Sequence, residues 1–256
     1  MPWRGDYPVY TAGGQCYIAP GFIMTAGFYR MRSDQPSAAC FSEISLDGVK
    51  GVLTDLDGTL YAYKPCHQYA LKTAFEYASY GLEQEAFFNL YRNARNRVTA
   101  RLASQGAGRS RLFAFQLMGE ELGWRAPFLA ARELDRIYWQ SFIEHMTADQ
   151  EALRLLERCN DADIPVCVVT DMTAHVQIDK LKRLRLENRI THLVTSEETG
   201  VEKPDPRMFE AGLRKLGIGA FEAIMLGDDL RKDIQGASAL GIRPYLVCLD
   251  KPEEAS

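Results

Sequence analysis

The chain has 256 residues, 46% of them hydrophobic and 25% charged, which is long enough for one sizeable core plus an insertion and ordinary for a globular protein. Its net charge of -4 argues against a nucleic-acid backbone or an anionic membrane as the main partner, and no apolar run approaches the ~20 residues of a membrane-spanning helix. The six cysteines are scattered, with no CxxC pair, a pattern that fits free thiols in a reducing, cytoplasmic compartment rather than a disulfide framework or a metal site.

Residues 1–47 read as an extension. Gly13, Gly14, Pro20, Gly21, Gly27 and Pro36 break any long period, so the segment is expected to be poorly structured, or translated upstream of a start at Met24 or Met31. The apolar patch at Ile18, Phe22, Ile23 and Met24 is interrupted by Pro20 and Gly21 and makes a weak secretory signal. A short apolar run from Val49 to Asp55 predicts a buried strand. Residues 63–146 read as an all-helical insertion. Ala70, Leu71, Ala74, Phe75 and Ala78 recur at helical spacing, and breaks near Gly81, Gly106 to Gly108 and Pro127 divide the block into three or four helices. Its many aromatics are enough for a core of its own. From residue 147 onward, helices alternate with short apolar strands. Helix 149–160 precedes Val166 to Thr170, helix 174–186 precedes His192 to Ser196, helix 206–216 precedes Ala223 to Gly227, and helix 230–239 precedes Tyr245 to Leu249. That order predicts an α/β fold, a doubly wound Rossmann-like parallel sheet with an inserted helical cap. Residues 48–62 and 147–256 form the expected core. Cys167 and Cys248 fall in the strand-like runs, where cysteine serves as a small hydrophobe.

Four short segments then lie at or beside the predicted carboxyl ends of strands, where open α/β sheets bind ligands. They are Asp55-Leu-Asp57-Gly-Thr, Val169-Thr170-Asp171, Glu202-Lys203-Pro204 and Gly227-Asp228-Asp229 with Asp233 close behind. The first carries two carboxylates two residues apart, with Gly58 permitting a sharp turn and Thr59 offering a hydroxyl. Each segment alone is a weak signal, and an Asp-x-Asp-Gly turn also occurs as a calcium loop or a plain turn.

Taken in order, the four segments resemble those of the haloacid dehalogenase superfamily, in its phosphatase branch with a helical cap after the first motif (subfamily I). The resemblance covers roughly residues 48 to 250. Within it, Thr195-Ser-Glu-Glu-Thr-Gly-Val-Glu-Lys-Pro is similar to the corresponding segment of nucleoside monophosphate and acylneuraminate phosphate phosphatases. The resemblance implies that Asp55, ionised at neutral pH, attacks phosphorus to give an aspartyl-phosphate, and that Asp57 protonates the leaving alcohol and later deprotonates water. It implies Mg2+ held by Asp55, Asp228 and the backbone carbonyl of Asp57, since like-charge repulsion between carboxylate and phosphate calls for a hard cation. Lys203 would bring positive charge to the phosphoryl oxygens and to Asp55, and Thr170 a hydroxyl and a backbone amide, so that Thr170, Asp171 and Lys203 form the expected phosphate-binding set. Asp229 and Asp233 support the site: Asp229 as a cap for the helix beginning near Leu230 or on metal waters, Asp233 on the metal or orienting Lys203. Asp171 departs from relatives with a neutral residue there, and reads as an N-cap for the helix at Ala174 or as a contact to a substrate hydroxyl or ammonium. His67 and Lys64 fall where cap meets core. Arg92, Arg95, Arg97, Arg101, Arg109 and Arg111 give the cap a basic stretch, a solvated face by default and a binding patch if the substrate bears a second anion.

The expectation is thus a magnesium-dependent phosphomonoester hydrolase for a small sugar phosphate or nucleotide, a monomer or homodimer with no nucleic-acid or membrane partner. A phosphomutase using the same site, or a non-catalytic binding protein, are the alternatives. Dehalogenation is disfavoured by Asp57, which that chemistry does not need.

Overall fold

Alternate residues of the central strands bury against opposite layers. Val52, Val166, Val168, Ile224 and Leu226 join one hydrophobic core, while Leu53, Cys167, Val169 and Met225 join another with Met208 and Phe209. In the computed structural model, which describes residues 38–78, 81–103 and 105–249 together with the backbone of two short strands, this two-sided burial produces a five-stranded parallel sheet. The two short strands, β1 (Tyr10–Ala12) and β2 (Gln15–Tyr17), pair antiparallel. The candidate starts Met24 and Met31 lie outside the described residues.

The sheet is built from β3 (Gly51–Thr54), β4 (Val166–Thr170), β5 (His192–Thr195), β6 (Ala223–Gly227) and β7 (Arg243–Leu246), in the order β5-β4-β3-β6-β7. Parallel pairing aligns Thr54 with Val168 on one side and with Leu226 on the other, so the chain leaves β3, β4 and β6 along one rim. Four helices fill the interval between β3 and β4: α1 (Tyr63–Ala78), α2 (Gln84–Arg101), α3 (Arg111–Glu121) and α4 (Pro127–Glu144). Their buried aromatics Phe87, Tyr91, Phe115, Tyr138 and Phe142 do not make the separate core expected of them but join the one that holds Val52, Val168 and Leu226 of the sheet. The remaining helices are α5 (Gln150–Asp161), α6 (Ala174–Arg183), the single turn α7 (Ser196–Thr199), α8 (Pro206–Leu216) and the short α9 (Gly236–Ser238). Asp149 caps α5 by accepting from the amides of Glu151 and Ala152 at 2.9 Å each. Among the described residues, no helix is long and apolar enough to cross a membrane.

Several expected elements differ. The expected strand Tyr245 to Leu249 is instead Arg243–Leu246, because its partner β6 ends at Gly227, paired with Leu246; the ladder closes on a last bond from Val247 N to Gly227 O at 2.9 Å. Cys248 is consequently exposed rather than part of a strand, whereas Cys167 is buried. The expected helix 230–239 begins as a π-helical turn, Leu230–Gln235, before α9. Its wide i to i+5 bond, Ile234 N to Asp229 O, accommodates Asp233 folded back against the strand: a Cβ on Gly227 would stand 2.3 Å from the Cβ of Asp233. The amino-terminal extension also reaches less far than residue 47. Phe41 and Ile44 are buried in the main core, Arg158 Nη2 donates to Ile44 O at 2.8 Å, and Ala39 N donates to Leu246 O at 2.7 Å.

A chain that begins at residue 48 is therefore expected to lose about 3–5 kcal/mol of stability relative to one beginning at residue 38, the usual cost of deleting a large buried apolar side chain. Urea midpoints decide it, and equal midpoints would mean that Phe41 and Ile44 do not stabilise the core.

Candidate active site

A cavity of about 1100 Å³ opens between the rim of the sheet and the helical insertion, and Asp55, Asp57, Thr170, Asp171, Lys203, Asp228, Asp229 and Asp233 all line it. Three of the acids arrive there directly from strand ends. Asp55 follows β3, its amide bonded to Leu226 O at 2.8 Å; Asp171 follows β4 and Asp228 follows β6. Lys203 sits in the turn before α8, with a cis peptide to Pro204.

The lysine organises the floor. Its ammonium lies 2.8 Å from Asp55 Oδ1 and 2.7 Å from Asp233 Oδ1, and Lys203 and Asp233 are only 3% and 1% exposed. Burial works against the lysine's charge, but Asp233 and Asp55 prevail and raise its pKa. Asp55 itself is raised well above the ordinary carboxylate range by burial, relieved by Lys203 and aggravated by Asp233, Asp228 and Asp57. Asp228 is pushed up to about 7, by desolvation at the cavity wall and then by Asp233, although the residue as a whole keeps an exposed surface. Carboxylate oxygens of Asp55, Asp228 and Asp233 all fall within 4.8 Å of one another. Three crowded acids around one lysine leave uncompensated negative charge, and an all-oxygen donor set suits a hard divalent cation. The residues present therefore fit a metal.

Gly58 is needed where the turn closes: its φ is +91° and an added Cβ would stand 2.3 Å from Asp228 Oδ2. Asp229 caps the turn that follows by accepting from the amides of Arg231 and Lys232 at 2.9 and 2.8 Å. Asp171 does not cap α6, whose N-cap is Thr173. It accepts instead from Lys203 N at 2.9 Å and from Lys232 Nζ at 2.6 Å, so the extra anion secures the backbone that carries the lysine. Thr170 Oγ1 accepts from Gln177 Nε2 at 2.6 Å, which leaves its own proton to donate. Thr59 is buried with an unpartnered hydroxyl and is not among the lining residues.

Asp57 turns away from the acidic cluster. Lys180 on α6 reaches its two oxygens at 2.6 and 2.9 Å, Gln177 Nε2 approaches at 3.3 Å, and Tyr61 donates its hydroxyl. Burial alone would raise the Asp57 carboxyl, but Lys180 with Tyr61 and Gln177 outweighs it and holds the pKa below its ordinary value. Lys180 is fully buried, its ammonium 5.2 to 5.9 Å from the ring centres of Phe142, Trp139, Tyr61 and Tyr63. Reading the sequence missed this lysine. The signal was available, since Gln177 and Lys180 fall on the same face of α6 as Val176 and Leu181, and a lysine on an apolar face calls for a partner.

On the insertion side, His67 also lines the cavity and shares a 2.6 Å hydrogen bond between its Nδ1 and the Tyr138 hydroxyl. Arg109 makes a bidentate pair with Glu202, at 2.8 and 2.6 Å, tying the insertion to the turn that holds Lys203.

A family model described as haloacid dehalogenase-like hydrolase matches residues 49–241. The chain belongs to this family. It is a phosphatase of that family, a phosphoric monoester hydrolase: it is 36% identical over 208 residues to a ribulose-1,5-bisphosphate 5-phosphatase of Halopiger xanaduensis, covering 80% of this chain and 86% of the relative. It is also 30% identical over 196 residues to a glyceraldehyde 3-phosphate phosphatase of Methanopyrus kandleri, covering 76% and 82%. Among solved structures, the magnesium-bound hydrolase YfnB of Bacillus subtilis superposes with a TM-score of 0.61 at 21% identity, covering 77% of this chain and 87% of that one. A 2-haloacid dehalogenase of Pseudomonas syringae reaches 0.62 at 23%, covering 77% and 85%. These two likenesses speak for the fold.

His67 is pushed down to about 4, by burial first and then by Arg111 and Arg95. Its folded pKa lies below the ~6.5 of an unfolded histidine. Stability from this group is therefore complete above pH ~6.5 and is lost as pH falls toward 4, where the unfolded chain binds the proton first. On acidification from pH 7.5 to 4.5, His67→Gln is expected to lose less stability than wild type, by on the order of 2 kcal/mol. Urea midpoints at the two pH values test this, and an equal drop in both proteins counts against it.

Proposed function

We propose that the protein is a magnesium-dependent phosphomonoesterase that hydrolyses a small sugar phosphate through an aspartyl-phosphate on Asp55. The observation that carries this reading is the Lys203 ammonium held between Asp55 and Asp233 at 2.8 and 2.7 Å on the cavity floor, with Asp228 completing a cluster of hard donors. A sugar phosphate is preferred to a nucleotide because the relatives named above act on ribulose 1,5-bisphosphate and on glyceraldehyde 3-phosphate.

In this reading Lys203 neutralises the phosphoryl oxygens as Asp55 approaches, and Thr170 donates its hydroxyl proton to another of them. Asp55, Asp228 and the backbone carbonyl of Asp57 would hold Mg2+, with Asp233 near enough to join them; the ion would screen the repulsion between Asp55 and the substrate dianion. Asp57 takes up a proton from solvent as the phosphate enters beside it and gives that proton to the departing alcohol oxygen. The carboxylate so formed, stabilised by Lys180, Tyr61 and Gln177, then accepts a proton from the water that attacks the acyl phosphate.

Phosphate release from sugar phosphates, nucleotides and phosphoglycolate, with magnesium and with chelator, tests the mechanism. Wild type is expected to turn over only with metal, and Asp55→Asn to lose at least ~1,000-fold in kcat while keeping its fold; residual metal-dependent turnover in the variant removes Asp55 as nucleophile. A requirement for a bisphosphate primer would mark a mutase.

Lys180→Met fills the aromatic cage but leaves Asp57 without its cation, so the Asp57 pKa should rise. The alkaline limb of the kcat/KM profile, set by the need for a protonated Asp57 in the first step, is expected to move to higher pH, with kcat down about 10- to 100-fold because the acid is weaker. A profile identical to wild type would show that Lys180 only fills space.

A further inference from the structure

The cavity's charges are divided unequally. Arg109 meets Glu202, Lys180 meets Asp57, Lys203 meets Asp55 and Asp233, and Lys232 meets Asp171. Arg95 on α2 and Arg111 at the start of α3 line the same cavity, and among the described residues neither has a carboxylate within ion-pair distance. Arg111 is 6% exposed. Its Nη1 donates to Arg109 O at 2.8 Å and its Nη2 to the Tyr63 hydroxyl at 2.5 Å, while its guanidinium lies 5.5 Å from the ring centre of Tyr138 and 5.4 Å from that of Trp139. Its Nε is buried and has no partner, and the same holds for the hydroxyl of Tyr91, which is 3% exposed and also lines the cavity. Arg95 uses Nη1 on Gly108 O and Ser110 O, at 3.0 and 3.3 Å.

A buried guanidinium without an anion, beside a second one and an unpartnered phenol, is costly unless a ligand supplies what is missing. Arg95 is pushed down to about 10 by burial and then by Arg111, whereas at Arg111 burial is outweighed by the phenols of Tyr63, Tyr91 and Tyr138, which hold its pKa up. The phosphoryl-transfer groups occupy the sheet side of the cavity and these cations the insertion side.

We propose that Arg111, Arg95 and the Tyr91 hydroxyl form a subsite for a second phosphate group, so that the preferred substrate is a sugar bisphosphate spanning the cavity from this subsite to Asp55. Two cations that no carboxylate meets at ion-pair distance among the described residues match a dianion, which favours phosphate over a carboxylate. Arg111 Nε–H, Tyr91 O–H and the unused N–H groups of Arg95 are the donors it would meet. The subsite rests on the hydrolase reading above only for which ester is cut, not for whether the anion binds.

The test compares a pentulose 1,5-bisphosphate with the matching pentulose 5-phosphate at physiological ionic strength, by phosphate release and by calorimetric binding to Asp55→Asn. Wild type should favour the bisphosphate by on the order of 100-fold in kcat/KM, and Asp55→Asn should bind it correspondingly tighter. Arg95→Gln and Arg111→Gln should each cut that preference about 10-fold or more. Arg95 is less buried than Arg111, so its variant remains informative if the Arg111 variant does not fold. Equal kcat/KM and equal binding for the two compounds overturn the subsite, and so does a preference that survives both substitutions. If no ester is hydrolysed, the hydrolase reading falls, while calorimetry on the same pair still decides the subsite.

Discussion

The ammonium of Lys203 is the constraint to which the rest of the sheet edge answers. A lysine that is 3% exposed is tolerable only if its charge is met at hydrogen-bond distance, and Asp55 and Asp233 do so from two different strand connections. For those carboxylates to converge, β3 and β6 must be neighbours in register, which the Thr54 to Leu226 pairing provides. Gly227 must lack a side chain, because Asp233 occupies the space a Cβ would take. The turn after Asp229 must widen to a π form to bring Asp233 back, and Asp171 must hold Lys203's own amide. The acids then outnumber the lysine, and the raised carboxyls of Asp55 and Asp228 express that excess.

How much of this was legible in the sequence follows from the range of each interaction. The strand ends were readable because buried parallel strands are short apolar runs followed directly by Asp55, Asp171 and Asp228, a local pattern. The capping role of Asp229 was also local, since it lies where the following turn needs a cap. Of the two readings open for Asp171 the N-cap fails, and its partners were out of reach because Lys203 N and Lys232 Nζ lie 32 and 61 residues away. The Lys180 pairing with Asp57 spans 123 residues. The end of β7 was misplaced because it depends on where β6 stops, not on the apolarity of Val247 and Cys248. Phe41 and Ile44 were assigned to an extension because proline and glycine upstream hid a contact made with α5.

Lys180 also shows how the helical insertion is joined to the sheet. It leaves α6, passes between rings contributed by α1 and α4, and ends on Asp57. One turn further along α6, Arg183 donates to the carbonyls of Ile143 and Glu144 at 2.9 Å each, satisfying acceptors that the end of α4 leaves open. The same helix therefore fixes the end of the insertion and the acid-base carboxylate proposed above. Across the cavity, Arg109 and Glu202 make the second polar tie, at the residue preceding Lys203. Displacing the insertion from the sheet would leave Lys180 on Asp57 but remove the rings of Tyr63, Trp139 and Phe142 from around its ammonium, and would loosen the Lys203 turn on the other side. The Lys180 ammonium is thus enclosed by rings, and Glu202 is paired with Arg109, when the helices and the sheet are closed together, which couples substrate enclosure to the surroundings of Asp57 and Lys203.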